Sequence, residues 1–335
     1  MKELGEQPDA LRRMVEYYSD EGLPKLKQWA VEAKKNKRGI FTGMGTSEFA
    51  PEMIFPALAD KGIEAMTIDA GEWLHYPRPM KGLPVLISQS GESVETRMLA
   101  ERLTAPYIAI TNNENSLIGR KASLVLLMCA GEEAAISTKT YVNTLGLLHL
   151  MCKAVCGEKE IEKGLVSLAL AADRMNENDR AGIAETALLL AEAKYLHFVS
   201  RGPAMAAARQ AALTFMEGTR LSSTALTGGA FRHGPFELAG MGHHVVFFAP
   251  SGSTHDLLSA MAHETAAKRS KVVVITDGNI EKTAGLKILH TPNLGENLFP
   301  ISVAMTQELL LYETAKQRGI EAGKFRYGSK ITVRE

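Results

Sequence analysis

Two short segments of the chain combine small hydroxyl side chains with glycine directly after an apolar run. SQSGES (88–93) follows the run PVLI, and GMGTS (43–47) ends a similar run. Ligands of open parallel sheets bind beyond the carboxyl ends of the strands, so both segments stand where a ligand would be expected. A helix start after each adds backbone N–H groups and a positive dipole end. A single such loop is ordinarily only a helix cap, but two on one sheet edge favour an anion site.

The hydroxyl groups of the two loops are numerous enough to surround one phosphate without a lysine. They belong to Thr46, Ser47, Ser88, Ser90 and Ser93. A phosphate near pH 7 carries about −1.5 to −2 charges and is held well by N–H and O–H donors.

A third polar cluster, STKT (137–140), begins an apolar-striped helix after the run LVLLMCA (124–130). It can be interpreted as helix capping alone or as a source of further donors. Because it follows a strand of the same predicted sheet, we expect Ser137 to contribute to the same pocket.

Proton chemistry is predicted for a different part of the chain. Glu217 follows LTFM on an otherwise apolar helix, where desolvation would raise its pKa toward that of a general base. His233 lies in RHGP, where a Gly-Pro turn would aim its side chain. The alternative is a solvated glutamate and a structural histidine.

The elements that would position these residues follow from the alternation of short apolar runs with longer helical patterns. This alternation predicts an α/β fold with two doubly wound parallel sheets flanked by helices. The predicted strands are 38–45, 63–70, 84–90, 107–112, 124–130, 195–202, 243–252, 271–278 and 286–292.

The two halves of the chain are weakly similar to each other. FTGMGTSEFAPEM corresponds to FVSRGPAMAAARQ, LISQSGES to FFAPSGST, and AITNNENS to VITDGNIE, in the same order. We therefore predict two related α/β domains. The expected boundaries are an N-terminal helical segment (1–35), a first domain (36–158), a helical connector (159–190), a second domain (191–318) and a tail (319–335).

Composition limits the classes of partner. The 335 residues are 45% hydrophobic and 23% charged, and 38 basic side chains balance 38 acidic ones. This balance predicts neither nucleic-acid nor membrane binding by bulk charge, and neither a basic arm nor a helix-turn-helix segment is evident. No apolar stretch approaches the ~18 residues of a membrane span, and no signal peptide is evident, so we expect a cytoplasmic protein.

Neither a metal nor a cofactor is predicted. Cys129, Cys152 and Cys156 are best interpreted as free thiols, because no clustered His or second Cys pair would complete a metal site. GMGTSE has Glu48 where the third glycine of a dinucleotide fingerprint belongs, and no phosphate-binding P-loop motif occurs.

Six segments together resemble the sugar isomerase (SIS) domain family: SQSGES, GMGTS, AISTKTY, MEG, RHGP and the terminal GSKITVRE. The pattern is most similar to the double-SIS isomerase half of glutamine:fructose-6-phosphate amidotransferase, over nearly the whole chain. KELGEQPDALRRM resembles the linker that follows the glutaminase domain of that enzyme. Since Met1 stands directly before this segment, we expect a chain without the glutaminase half.

The resemblance implies specific roles. Phosphate contacts would come from Ser47, Ser88, Gln89, Ser90 and Ser93, with Thr46 beside them, and sugar contacts from Ser137. Glu217 would move a proton between C1 and C2, His233 would open the sugar ring, and Lys330 would form an imine with the keto-sugar. The family also implies a homodimer in which His233 reaches the partner's active site.

One position departs from the amidotransferase pattern, which has a lysine three residues before the glutamate where this chain has Thr214. Amidotransferase-type synthesis is therefore not expected. We expect a phosphosugar isomerase that also deaminates a 6-phosphorylated amino sugar of the glucosamine 6-phosphate type, releasing ammonia. The alternatives are a deglycase for fructosamine 6-phosphates and a non-catalytic sugar-phosphate sensor.

Overall fold

The structure is a computed structural model that describes residues 1–77, 80–134, 136–178 and 180–327. The chain divides into two compact units. The N-terminal unit is built mainly from Glu6–Ala169, and the C-terminal unit from Leu170–Arg326 together with Met1–Gly5. Each unit contains one five-stranded sheet.

The sheet of the N-terminal unit contains all five strands predicted for it. All pairs are parallel, and the strand order is β2-β1-β3-β4-β5. Its strands are β1 Arg38–Gly43, β2 Glu64–Asp69, β3 Leu83–Ile87, β4 Ile108–Thr111 and β5 Leu124–Leu127. The interior of β1 and all of β3 and β4 are buried, which is typical of parallel sheets covered on both faces.

Ten α-helices lie among the described residues between Lys2 and Asn178, and they include a helix after each of the strands β1 to β5. They are α1 Lys2–Gly5, α2 Gln7–Ser19, α3 Leu23–Asn36, α4 Thr46–Phe49, α5 Phe55–Ala59, α6 Ala70–His75, α7 Val94–Arg102, α8 Leu117–Lys121, α9 Lys139–Cys156 and α10 Lys163–Asn178. The predicted N-terminal helical segment (1–35) contains three helices, α1 to α3, which are separated at Glu6 and at residues 20–22.

The C-terminal unit contains one strand that the sequence analysis missed. Its strands are β6 Tyr195–Ser200, β7 Ser222–Thr227, β8 His244–Ala249, β9 Lys271–Thr276 and β10 Leu286–His290. The parallel order is β10-β9-β8-β6-β7, so β7 is an edge strand with β6 as its neighbour. Its sequence, SSTALT, has only two apolar residues, Ala225 and Leu226, and only Ser223 is buried, so it lacks the apolar run by which the other strands were found.

The remaining helices cover this second sheet on both faces. They are α11 Arg180–Ala191, α12 Met205–Thr219, α13 Gly228–Arg232, α14 His255–Ala267 and α15 Phe299–Gln317. Alternate residues of β8 divide the core in two: Val246 and Phe248 pack with Phe215 of α12, whereas Val245 and Phe247 pack with Phe231 of α13. Helices α12 and α13 therefore lie on opposite faces of the sheet.

The internal similarity read from the sequence corresponds to a shared topology. Counted from β7 to β10, the second sheet has the same strand order as the first counted from β2 to β5. The three similar segments follow β1 and β6, β3 and β8, and β4 and β9, which are equivalent strands. Among the helices in the described ranges, none is both long and apolar enough to cross a membrane.

Candidate functional site

The two hydroxyl-rich loops of the N-terminal unit lie side by side. They follow β1 and β3, which pair directly with Thr42 opposite Leu86. A Cβ atom on Gly43 would lie 2.6 Å from the carbonyl oxygen of Ile87 and 2.7 Å from Cβ of Ser47. Only glycine permits this approach, so Gly43 brings the start of α4 against the end of β3.

The SQSGES loop is held in a tight turn by its own hydroxyl groups. Ser88 is 3% exposed, and its Oγ accepts a hydrogen bond from the amide of Gly91 at 3.1 Å and lies 3.4 Å from Oγ of Ser93. Oγ of Ser90 accepts from the amide of Glu92 at 3.1 Å. Gly91 has φ of +70°, and a Cβ there would lie 2.0 Å from Oγ of Ser116, so glycine is required.

The loop ends at the N-terminus of a nine-residue helix. Ser93 is the N-cap of α7, yet its hydroxyl makes no capping hydrogen bond. Ser90, Ser93 and Gln89 are half-buried, as are Thr46 and Ser47 at the start of α4. The structure thus brings the predicted anion-binding side chains to one edge of one sheet, where the dipole of α7 favours a negative charge.

The acidic residue of this loop is neutralised locally. One carboxylate oxygen of Glu92 lies 3.4 Å from the guanidinium of Arg97, and the other accepts from the amide of Leu117 at 3.3 Å. Glu92 therefore adds little net negative charge to an edge that would hold an anion.

Asn112 connects the SQSGES loop to the third predicted cluster, and the sequence analysis missed it. Its amide donates to the carbonyl of Gln89 at 3.0 Å. Its side chain donates to the carbonyl of Gly131 at 2.8 Å and accepts from the amide of Ala130 at 2.9 Å. Asn112 thus fixes Ala130 and Gly131, which precede the third cluster in the chain, to the same sheet edge as the SQSGES loop.

The equivalent loop of the C-terminal unit, PSGST (250–254), has a different charge. Asp277 stands where Asn112 stands in the first sheet, and its carboxylate accepts from the amide of Ser251 at 2.5 Å. A Cβ on Gly252 would lie 2.3 Å from a carboxylate oxygen of Glu296. Two carboxylates beside the turn would repel a phosphate, so only the first of the two related loops is suited to an anion.

Glu217 lies in the last turn of α12 and is half-buried. Burial raises its pKa to about 7, and the nearby positive charge of Arg220 opposes this shift. Thr214, one turn earlier, is fully buried and donates to the carbonyl of Gln210 at 2.9 Å. A carboxyl group with this pKa can both accept and donate a proton near neutral pH, as predicted from its apolar surroundings.

His233 ends the short helix α13 and is exposed. Thr227 is the N-cap of this helix, and its hydroxyl accepts from the amide of Ala230. Arg232 is paired with Glu264 at 2.5 Å. Gly234, with φ of 148°, then turns the chain. Because α12 and α13 pack on opposite faces of the sheet, Glu217 and His233 of one chain belong to helices with the sheet between them.

Three further features of the sequence analysis concern Lys330, the cysteines and metal ligands. Lys330 lies outside the described residues. Cys129, Cys152 and Cys156 are free, with Cys152 buried. Within the ranges that the structure describes, no three His, Cys, Asp or Glu side chains are grouped as metal ligands would be.

Comparison with known proteins gives consistent matches along the chain. The model of the SIS domain family matches residues 33–154 and 189–316. The isomerizing glutamine–fructose-6-phosphate aminotransferase of Methanothermobacter thermautotrophicus is 29% identical over 335 residues; the match covers 97% of this chain but only 55% of that protein. The chain thus spans about half the length of this relative.

Two solved structures share the fold. One is the C-terminal domain of glucosamine-fructose-6-phosphate aminotransferase from Francisella tularensis, with a TM-score of 0.85, 20% identity and coverage of 96% of this chain and 97% of that one. The other is glucosamine-6-phosphate deaminase from Thermotoga maritima, with a TM-score of 0.78, 20% identity and coverage of 99% of both chains.

Proposed function

Because the chain belongs to the SIS domain family, we propose that it is an enzyme acting on phosphosugars. The substrate is a 6-phosphorylated amino sugar of the glucosamine 6-phosphate type, and the products are the ketose phosphate and ammonia. The observation that carries the proposal is the SQSGES loop, whose hydroxyl groups and helix N-terminus form a charge-complementary edge for a phosphate.

The proposed reaction starts with opening of the sugar ring. His233 takes the proton of the C1 hydroxyl and returns a proton to the ring oxygen. Glu217 then removes the proton from C2 and delivers one to C1, while the amine loses a proton and the C1 oxygen gains one. The aldehyde thus becomes a C1 alcohol and the C2 amine becomes a C2 imine. Water adds to this imine and ammonia leaves, giving the ketone.

The pKa of Glu217 supports this assignment. A base that must release the same proton to C1 works best when its pKa is close to the working pH, and burial places it at about 7. The buried Thr214 supplies no positive charge on this helix, whereas a lysine there would stabilise the ionised carboxylate and lower the pKa of Glu217. We therefore favour deamination over amidotransferase-type synthesis.

Lys330 is proposed, from the family resemblance alone, to form an imine at C2 with the keto-sugar. In that route its neutral amine displaces ammonia from the C2 imine, and water then releases the ketone. The proposed assembly is a cytoplasmic homodimer that requires neither a cofactor nor a nucleic-acid or membrane partner.

A coupled assay tests the proposal. Formation of fructose 6-phosphate from glucosamine 6-phosphate is expected, with stoichiometric ammonia, and should be about a hundredfold slower or more in the Glu217→Gln variant. A panel of fructosamine 6-phosphates should react more slowly. Preference for that panel would instead identify a deglycase, and sugar-phosphate binding without turnover of any substrate would identify a sensor.

Replacing Ser90 by alanine should raise KM for the sugar phosphate about tenfold or more with little change in kcat, because a hydrogen bond to a charged ligand is lost in the ground state. Ser251→Ala is the matched control, since Ser251 occupies the equivalent position in the acidic loop of the C-terminal unit and should leave KM unchanged. Steady-state kinetics of both variants provide the measurement. Equal effects would contradict the assignment of phosphate to SQSGES.

Changing the charge next to Glu217 should move the pH profile. As a base, Glu217 acts in its ionised form, so kcat/KM should rise with pH through about 7. Arg220 lowers the pKa of Glu217, so Arg220→Gln should shift this rise to higher pH. The measurement is kcat/KM from about pH 5.5 to 9 in both proteins. A shift to lower pH, or none, would rule out Glu217 as the titrating base.

A further inference from the structure

Glu133 is a buried carboxylate of the N-terminal unit that collects four hydrogen bonds from the start of α9. One oxygen accepts from the amide of Thr138 at 2.9 Å, from its hydroxyl at 3.1 Å and from the amide of Thr140 at 3.1 Å. The other accepts from the hydroxyl of Thr140 at 2.5 Å. Glu133 is 8% exposed, and four converging donors suit an ionised carboxylate, which only accepts.

This arrangement fixes the direction of a second hydrogen bond. Oγ of Ser137 lies 3.1 Å from Oγ1 of Thr140. A hydroxyl group has one hydrogen to donate, and Thr140 donates its hydrogen to Glu133. The bond between the two hydroxyls must therefore be donated by Ser137. Any further hydrogen bond at Oγ of Ser137 that involves a hydroxyl group is then one that Ser137 accepts.

Contacts to two acidic side chains hold the start of α9 in place, so the hydrogen bond from Ser137 to Thr140 keeps its direction. Thr138 is the N-cap but makes no side-chain cap of its own, so Glu133 satisfies the helix amides in its place. Lys139 is buried and pairs with Glu6 at 2.5 Å. Two acidic residues from different parts of the unit thus hold the turn that presents Ser137.

We infer that Glu133 is a positioning residue that orients the hydroxyl chain from Ser137 through Thr140, so that Ser137 accepts a hydrogen bond from a sugar hydroxyl. This inference rests on the proposed function, because it assumes that Ser137 faces the sugar. It predicts selectivity: the sugar must present a hydrogen-bond donor at that position. A substituent that only accepts would meet lone pairs on Ser137.

The ligand-free protein tests the first half of the inference. The hydroxyl proton of Thr140 should be visible by NMR and slow to exchange, because it is buried and bonded to a carboxylate. It should become fast-exchanging in Glu133→Gln, whose amide can donate toward Thr140 instead of accepting. Glu132→Gln is the matched control, since Glu132 is the adjacent exposed glutamate and should leave the signal unchanged. A fast-exchanging Thr140 hydroxyl in the unmodified protein would overturn the inference.

Ligand binding tests the second half without requiring turnover. Glucitol 6-phosphate and analogues with single hydroxyl groups replaced by hydrogen or by fluorine are titrated calorimetrically into the full chain. At the hydroxyl that faces Ser137, both replacements should weaken binding about three- to tenfold, since neither can donate. The same position should lose its sensitivity in Ser137→Ala.

Two isosteric variants test whether Glu133 orients the hydroxyl of Ser137 or only stabilises helix α9. Thr140→Val breaks the chain to Ser137, whose hydroxyl can then turn and donate, so the fluoro analogue should bind better than the deoxy analogue. Thr138→Val removes a hydroxyl donor from the same carboxylate but leaves the chain intact, so fluoro and deoxy analogues should remain equally weak. Identical profiles for the two variants would show that Glu133 only stabilises the helix and would overturn the inference. A different result is that the Thr140 hydroxyl proton exchanges slowly but the intact protein does not bind glucitol 6-phosphate. That result would overturn the sugar contact and the proposed function, while the hydrogen-bond chain from Ser137 through Thr140 to Glu133 would stand.

Discussion

Glu217→Gln is expected to lower kcat for deamination of glucosamine 6-phosphate by roughly 10²- to 10⁴-fold, with little change in KM. Glutamine keeps the size of the side chain but cannot take a proton from C2. The half-buried position of Glu217 and its pKa of about 7 mark it as the group with the appropriate proton affinity. Fructose 6-phosphate formation measures turnover, and loss of the C2 proton to D₂O, followed by NMR, measures the proton transfer itself.

The appropriate control is Glu281→Gln, because Glu281 is an exposed glutamate of the same unit and loses the same charge. Its kcat should equal that of the unmodified enzyme. If Glu217→Gln turned over at a near-normal rate and still exchanged the C2 proton, the base would have to be another residue.

Sequence reasoning was sufficient for features that depend on apolar patterning. Nine strands were found because they are short apolar runs, and the buried strands β3 and β8 illustrate this. The raised pKa of Glu217 follows from the same logic, since a carboxylate among apolar helical neighbours loses hydration. The pattern of apolar residues within one segment is enough to predict which of its side chains are buried.

Features that depend on hydrogen bonding between distant segments could not be predicted in this way. β7 is mostly polar and is a strand because β6 offers it a complete ladder, from Tyr195 opposite Ser222 to Ser200 opposite Thr227. Asn112 and Glu133 look like ordinary loop residues in the sequence. The available signal for Glu133 was a glutamate shortly before a Ser-Thr-Lys-Thr helix start, which suggests a cap but gives no direction to the hydroxyl groups.

The internal similarity of the two halves also required the structure for its interpretation. The sequence predicts related loops after β3 and β8, and both loops exist at equivalent positions. The two loops differ electrostatically: the side chain of Asn112 beside the first loop is neutral, whereas Asp277 beside the second is acidic and accepts from the amide of Ser251. A duplicated fold thus provides one loop suited to phosphate and one closed by its own carboxylate.

Mixing two inactive variants should restore activity if the active site is shared between subunits. In Glu217→Gln dimers every site lacks the base, and in His233→Ala dimers every site lacks the ring-opening group. After subunit exchange, each heterodimer has one site that combines an intact Glu217 from one chain with an intact His233 from the other. At equal mixing about a quarter of all sites would be complete, so the recovered rate should approach that fraction of the unmodified rate.

The structure gives a physical reason to expect this outcome. His233 is exposed at the end of α13, while Glu217 lies on α12 across the sheet of the same unit, so a partner chain can bring the two groups together without either helix moving. Mixing Glu217→Gln with Glu217→Ala is the control, because no arrangement of those subunits completes a site. Differently tagged chains establish that exchange has occurred. If exchange is complete and the mixture of Glu217→Gln with His233→Ala stays inactive, both groups must act within one chain. The substrate would then have to contact both α12 and α13 around the β7 edge of the sheet.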